Sequence, residues 1–487
     1  MTIGNTNAGG RAFAIPLDRR LPGRVKFFFG FGAIAFGVKD LSFALILTFY
    51  FNQVIGVDAA IVGTALFCAL VLDAFIDPLI GHLSDNLRTR WGRRHPFLYA
   101  SAVPAALAYL LLWFPPDPDG ANMFLFIFGV AFLVRATMSC FEVPMASLGP
   151  ELTSDYHERT RLFGLRFFFA WLGGASMLLL AFAVLLPAYP GNQLDPRGYH
   201  DFAIIAAIVM ALAIALSALG THSEIKYLPT VEREELTLGQ SFGNVFGSLS
   251  NRAFLILMLC TLFANAAQGL NFGLLIYFIT HFWELGSQAL AWFMIAQVVG
   301  IGFAVFASSW LSRRIGKRRA AVRFLLLAIV AVPLPYLARI AGYFPDNGDP
   351  MLLPLLVILA GLGSSMLVSA LILKVSMLTD VIEDDAEKTG RRSEGIFFAG
   401  QFFVQKCVSG LGIALTATVL AIAAFPSEAE PGTVSADVLQ SLAICFAVVI
   451  IGFGLFAAAI VSRFPIDQKD HEDRIARMRG TAQETTL

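Results

Sequence analysis

Apolar residues gather into twelve long runs, at about 27–52, 57–83, 96–114, 122–149, 163–187, 201–220, 253–282, 287–311, 319–343, 351–378, 394–424 and 436–462. A bilayer core about 30 Å thick takes roughly 20 residues of helix, so each run predicts one membrane span. Alternate connectors are rich in turn formers: Pro115-Pro116-Asp117-Pro118, Pro190-Gly191-Asn192 and Pro345-Asp346-Asn347-Gly348. The remaining connectors are basic. With the N-terminus placed in the cytoplasm, 29 of the 35 Lys and Arg fall in or beside cytoplasmic segments. One, Arg197, falls in an outer loop, and five (Lys39, Arg135, Arg339, Lys374 and Lys406) fall within spans. The positive-inside rule then predicts an all-α inner-membrane protein of twelve transmembrane helices with both termini cytoplasmic.

The connector after span 2 reads Arg88-Thr89-Arg90-Trp91-Gly92-Arg93-Arg94, and that after span 8 reads Arg313-Arg314-Ile315-Gly316-Lys317-Arg318-Arg319. Their glycines lie 224 residues apart, close to the offset between spans 1 and 7. This pattern predicts a duplicated six-helix unit, the parallel-repeat arrangement of rocker-type transporters, with a solute site between the halves. Expected boundaries are a cytoplasmic tail at 1–26, an N-terminal bundle at 27–220, a linker at 221–252, a C-terminal bundle at 253–462 and a tail at 463–487. In the linker, Phe242, Val245, Phe246 and Leu249 share a helical face, which predicts a surface helix along the inner leaflet.

Composition agrees with burial in lipid. The chain is 57% hydrophobic and 14% charged, against about 25% charged in soluble domains. Its net charge is zero, which gives no reason to expect a nucleic-acid partner. The five cysteines stand singly in apolar runs, without metal or disulfide spacing. The seven histidines form no constellation, and His82 and His95, flanking the span 2–3 loop, are expected to be solvated. No Ser-His-Asp set, metal spacing or phosphate loop supports an enzyme.

A charge at mid-membrane costs at least about 2.5–3.5 kcal/mol, so each one asks for a reason. Asp40, Asp73, Asp77 and Glu142 are the acidic cases, and Lys39, Arg135, Lys374 and Lys406 the basic ones. Asp73 and Asp77 are four apart and share a helix face. Two carboxylates so close in low dielectric call for a proton or a cation between them. Pro78 follows directly and frees a backbone carbonyl. The pair therefore fits a Na⁺ or H⁺ site. It equally fits a salt bridge with Lys39, Arg135 or Lys406 that locks helices. Lys406 lies deep in span 11 beside Gln405 and is expected to counter the acidic layer, whereas Lys374 is near enough to its span end to snorkel. Asn265, Gln268 and Asn271 in span 7 are placed either to hydrogen-bond a solute or to join helices.

The segments Asp73-Ala74-Phe75-Ile76-Asp77-Pro78-Leu79-Ile80-Gly81, Ser84-Asp85 and Arg90-Trp91-Gly92-Arg93-Arg94-His95-Pro96 resemble glycoside-pentoside-hexuronide:cation symporters of the major facilitator superfamily. Glu142-Val143-Pro144, Pro150-Glu151-Leu152-Thr153, Glu158-Arg159-Thr160-Arg161 and Lys388-Thr389-Gly390-Arg391-Arg392-Ser393-Glu394-Gly395 extend the match in order along the chain. The resemblance implies cation binding at Asp73 and Asp77, with these as the metal ligands if the ion is Na⁺. It implies solute contacts from Asp40, Lys39, Glu142, Arg135, Arg166, Gln405 and Lys406. It implies conformational roles for Asp85, Gly92, Arg93, Arg94, Arg391 and Arg392. The sequence departs from the family in two places. A tryptophan expected soon after Glu142 is absent from Met145-Ala146-Ser147, and an arginine expected before Asp73 is replaced within Leu70-Val71-Leu72.

The function expected is Na⁺- or H⁺-coupled symport of a sugar, glycoside or related small solute by alternating access. No cofactor beyond the coupling ion is expected, and the protein is expected to act as a monomer in the bilayer. A carrier of lysolipid or another amphipathic solute is the competing reading. A non-transporting receptor or scaffold is a distant third.

Overall fold

The computed structural model describes residues 21–117, 122–153, 156–228, 251–389 and 394–466. The chain divides into two compact units, 1–238 and 239–487. In the first unit the helices are α1 (Gly23–Leu45), α2 (Ala59–Asn86), α3 (His95–Leu112), α4 (Met123–Leu152), α5 (Tyr156–Leu180) and α6 (Pro196–Thr221). In the second they are α7 (Arg252–Tyr277), α8 (Ser287–Ile315), α9 (Lys317–Ile340), α10 (Leu352–Thr389), α11 (Glu394–Ile422) and α12 (Ala436–Ser462). Among the described residues, eleven helices are long and apolar enough to cross a membrane. The twelfth, α11, is 29 residues long and includes the apolar stretch Leu411–Ile422. The all-helical class and the expected spans are both found. The expected surface helix at Phe242–Leu249 lies outside the described residues.

Helix starts follow local chemistry. Asp58 accepts from the Ala60 amide at 2.8 Å, Asn122 from Leu125 at 3.1 Å and Asn251 from Ala253 at 3.0 Å, each satisfying a donor that the first helical turn leaves unpaired. Several helices outrun the apolar runs that predict them. α10 continues to Thr389 and carries Asp380, Glu383, Asp384 and Asp385 on its extension. Hydropathy marks the lipid-crossing part of a helix and is blind to its hydrated end.

One pairing scheme occurs twice. In the first unit α1 packs on α5 and α6, α2 on α4, and α3 on α4 and α6. In the second, α7 packs on α11 and α12, α8 on α10, and α9 on α10 and α12. The ends of α1 and α7 match in detail. Each closes in a wide turn, with Ile55 N bonding Tyr50 O at 3.0 Å and Trp283 N bonding Phe278 O at 2.9 Å. The next bonds are Val57 N to Phe51 O and Leu285 N to Ile279 O, both 2.8 Å. Such a recurrence is what a duplicated six-helix unit produces.

Helix contacts in lipid rely on close backbone approach between small residues. A Cβ added at Gly37 of α1 would sit 1.7 Å from the Ala170 carbonyl oxygen of α5. Gly37→Ala should therefore destabilise the first unit by about 1–3 kcal/mol through overpacking. Gly23→Ala, with nothing within 4 Å, should not. Thermal unfolding of the purified variants measures the difference.

Candidate functional site

The acidic pair sits on α2. Asp73 is buried and Asp77 is half-buried. Pro78 follows inside the helix and cannot donate to the Ala74 carbonyl. From α4, Arg135 Nη1 donates to Asp73 Oδ2 at 3.2 Å. One turn on, the Ser139 hydroxyl lies 3.2 Å from Asp73 Oδ1 and 2.6 Å from Asp77 Oδ1. A serine hydroxyl has a single proton and can donate to only one of these oxygens at a time. The second oxygen–oxygen contact is favourable when a carboxyl proton or a shared cation lies in it.

One turn beyond Ser139 is Glu142, also buried. Lys39 Nζ of α1 donates to its Oε1 at 3.3 Å. Arg135, Ser139 and Glu142 thus line one face of α4 at helical spacing. Two phenylalanines of α1 back the cations: Lys39 Nζ lies 4.7 Å from the Phe36 ring centre, and the Arg135 guanidinium 5.2 Å from that of Phe43. Among the described residues, Arg135 Nε is buried without a hydrogen-bond partner. Arg166 of α5 reaches the Glu142 backbone carbonyl at 3.5 Å. Asp40 is exposed, on a different side of α1 from its neighbour Lys39. Gln405 and Lys406 are on α11, but their side chains lie outside the described residues, as do Arg391 and Arg392 entirely.

Of the expected residues, Asp73, Asp77, Arg135, Lys39, Glu142 and Arg166 therefore converge in the first unit, and Asp40 stands apart. Ser139, Phe36 and Phe43 escaped the sequence reading. The 135–139–142 spacing is the signal that would have found Ser139. The salt bridge weighed for the acidic pair is made by Arg135, and Ser139 joins the two carboxylates.

A second polar cluster lies at the other end of the same helices. Arg94 is buried and donates to Ser84 Oγ at 2.7 Å and, through Nη2, to Glu151 Oε1 at 2.9 Å; it also pairs with Asp85. Arg93 reaches the same Glu151 oxygen at 2.7 Å. Among the described residues, Glu151 Oε2 is buried without a partner. Gly92, at φ +74°, turns the chain so that both arginines face α4. Its counterpart Gly316 has φ +84°, and Lys317 beside it reaches Asp380 of α10 at 2.7 Å.

Two expectations are corrected. His95 is buried, not solvated. Its Nε2 lies 3.1 Å from Thr221 Oγ1 and its ring packs against His222. The cause is that α3 starts at His95 itself, so the ring enters the helix contact with α6. His82 is exposed as expected. Lys374 does not snorkel. It is 6% exposed, because α10 runs another fifteen residues beyond it and leaves no nearby helix end to reach.

The chain matches the family described as MFS/sugar transport protein over residues 28–468. The isoprimeverose transporter of Lactiplantibacillus pentosus is 26% identical, across 87% of this chain and 85% of that protein. A putative glycoside/cation symporter of Escherichia coli, YagG, is 25% identical, across 86% and 87%. Among solved structures, an inward-facing bacterial homologue of the human lysosomal transporter Spinster superposes with a TM-score of 0.62 at 14% identity, covering 91% of this chain and 97% of that one. That likeness concerns the fold alone.

Removing one partner of a buried ion pair leaves an uncompensated charge and costs about 3–5 kcal/mol. Glu151→Gln should therefore lower the unfolding temperature clearly. Arg197→Gln, which breaks the exposed pair with Asp195, should leave it almost unchanged, since solvent screens a surface pair. Side-by-side thermal unfolding checks the contrast.

Proposed function

Since the chain belongs to the MFS/sugar transport family, and is thus a multi-pass membrane transporter and not an enzyme, we propose that it is a cation-coupled symporter of a sugar or glycoside. The carrying observation is the Ser139 hydroxyl set between the Asp73 and Asp77 carboxylates. In this reading Asp73 and Asp77 take up the coupling ion, H⁺ or Na⁺, with Ser139 and the Ala74 carbonyl freed by Pro78 completing an oxygen-rich site. Carboxylates, a hydroxyl and a carbonyl are the hard oxygen donors that a small cation prefers.

Solute hydroxyls are assigned to Lys39, Glu142, Arg135, Arg166 and Asp40, with Gln405 and Lys406 contributing from α11. Arg135 joins the two halves of the function, because it pairs with Asp73 and lies on the same face of α4 as Glu142. Filling the cation site weakens the hold of Asp73 on Arg135 and leaves the guanidinium to the solute. Such an exchange is a coupling free energy, so solute binding must favour cation binding by the same factor. The Arg93–Arg94–Glu151–Asp85 cluster acts as a latch that forms in one state and opens in another, and Arg391 and Arg392 are assigned a parallel role. The termini are placed in the cytoplasm, with the protein in the inner membrane as a monomer.

Uptake into proteoliposomes from a glycoside panel that includes isoprimeverose, under an imposed Na⁺ or pH gradient, tests this. Wild-type protein should accumulate its solute above equilibrium. Asp77→Asn should abolish accumulation while leaving solute binding measurable. Ser139→Ala should weaken the apparent cation affinity by roughly tenfold, the loss of about one hydrogen bond to a charged group. Undiminished gradient-driven accumulation by Asp77→Asn would refute the cation role.

A further inference from the structure

The charged site just described belongs to the first unit. The second unit holds a different kind of cavity, bounded wholly by α7, α8, α9 and α10. Its polar lining comes from Asn271 of α7, Gln297 of α8 and Ser364 of α10, with the Tyr336 ring forming a wall. Among the described residues, no Asp, Glu, Lys, Arg or His lines it.

The chain has shaped this place at some cost. α9 is interrupted between Ala331 and Leu334, where Pro333 and Pro335 each remove a helical donor. Pro335 cannot donate to the carbonyl of Ala331, and Ala331 lines the cavity. The side chains of Asn271, Gln297 and Ser364 make no hydrogen bond to any described residue. One turn before Asn271 on α7, Gln268 Oε1 is buried without a partner among the described residues. Polar groups inside a membrane bundle normally find partners, since leaving them bare in apolar surroundings costs several kcal/mol. Two amides and a hydroxyl gathered around one void therefore point to an occupant that hydrogen-bonds.

The character of that occupant follows from the groups. Each amide offers an N–H and a C=O side by side, and the serine both donates and accepts. A freed backbone carbonyl adds an acceptor. With no charge among the described lining groups, these groups favour a neutral, hydrogen-bonding occupant over an ion. The cavity measures about 40 Å³, room for roughly three water-sized groups. That room matches two or three adjacent hydroxyls.

We propose that this cavity is a second, uncharged subsite that takes the vicinal hydroxyl edge of a neutral sugar ring, read by Asn271, Gln297 and Ser364. The inference rests on the sugar-transport reading above and adds a specificity-determining contact on a separate unit. Vicinal hydroxyls match amides in a bidentate manner, displace the waters that otherwise fill the void, and are rejected when one hydroxyl is missing. A site built to hydrogen-bond a hydroxyl discriminates strongly against the analogue without it, because its own polar groups are then left unpaired.

The test uses full-length purified protein and a panel of neutral mono- and disaccharides with their single-deoxy analogues, read by thermal stabilisation. Asn271→Leu and Gln297→Leu should each weaken binding of the stabilising sugar about tenfold or more. One deoxy analogue should bind wild type equally poorly, yet lose nothing further in the variant that lacks its partner. As a readout that does not depend on the leucine variants folding, Gln297→Cys should be alkylated by N-ethylmaleimide and protected by that sugar. Unchanged affinity and deoxy selectivity in both leucine variants, or alkylation unaffected by a sugar that stabilises wild type, overturns the subsite while leaving sugar transport standing. If no sugar of the panel stabilises wild type, the sugar reading fails and the subsite with it.

Discussion

A charge buried within a membrane bundle must be paired, and much of the first unit is arranged to satisfy that demand. Lys39 answers Glu142, Arg135 answers Asp73, and Arg94 answers Glu151. Each pair joins different helices, so the same contacts that neutralise charge also fix helix positions. The hydrophobic effect brings apolar helices into the bilayer but gives them little preference for one neighbour over another. Small residues in close approach and paired charges supply that preference. In the proposed function such a network also serves as a switch, because protonating or metallating one carboxylate would change which partner its arginine prefers.

The two units divide the chemistry unequally. Their helix pairing is the same, and the glycine turns at Gly92 and Gly316 adopt the same left-handed conformation. Yet the first unit places carboxylates and cations along α1, α2 and α4, while the second surrounds a small void with amides and a hydroxyl. Duplication supplies a scaffold on which each copy can hold different side chains. Cation coupling requires charge. Discriminating among neutral sugars requires oriented donors and acceptors, which amides provide without the cost of burying a charge.

Most of the fold is legible in the sequence because the bilayer imposes a length on every apolar run. The acidic pair is legible for a related reason: Asp73 and Asp77 stand out where charge is costly. Ser139 did not stand out, since a lone serine in an apolar helix most often bonds its own backbone, as Ser42 does with Val38. His95 misled because its neighbours Arg93, Arg94 and Pro96 read as loop, whereas the helix already begins there. Lys374 misled because its distance from water depends on where α10 ends, and the charged extension that decides this carries no hydropathy signal. The cavity around Asn271 was half legible. The polar stripe on α7 was apparent, but its partners on α8 and α10 lie too far along the chain for spacing to connect them.

In the proposed function the Asp73–Ser139–Asp77 cluster binds the ion that drives transport. Its most direct test is the dissociation constant of the transported sugar, measured on purified protein over a range of Na⁺ concentrations and pH, for wild type and for Asp77→Asn. The account predicts that wild-type affinity rises with the coupling cation and that the variant's affinity is flat over the same range. The same cation dependence in both proteins would contradict it.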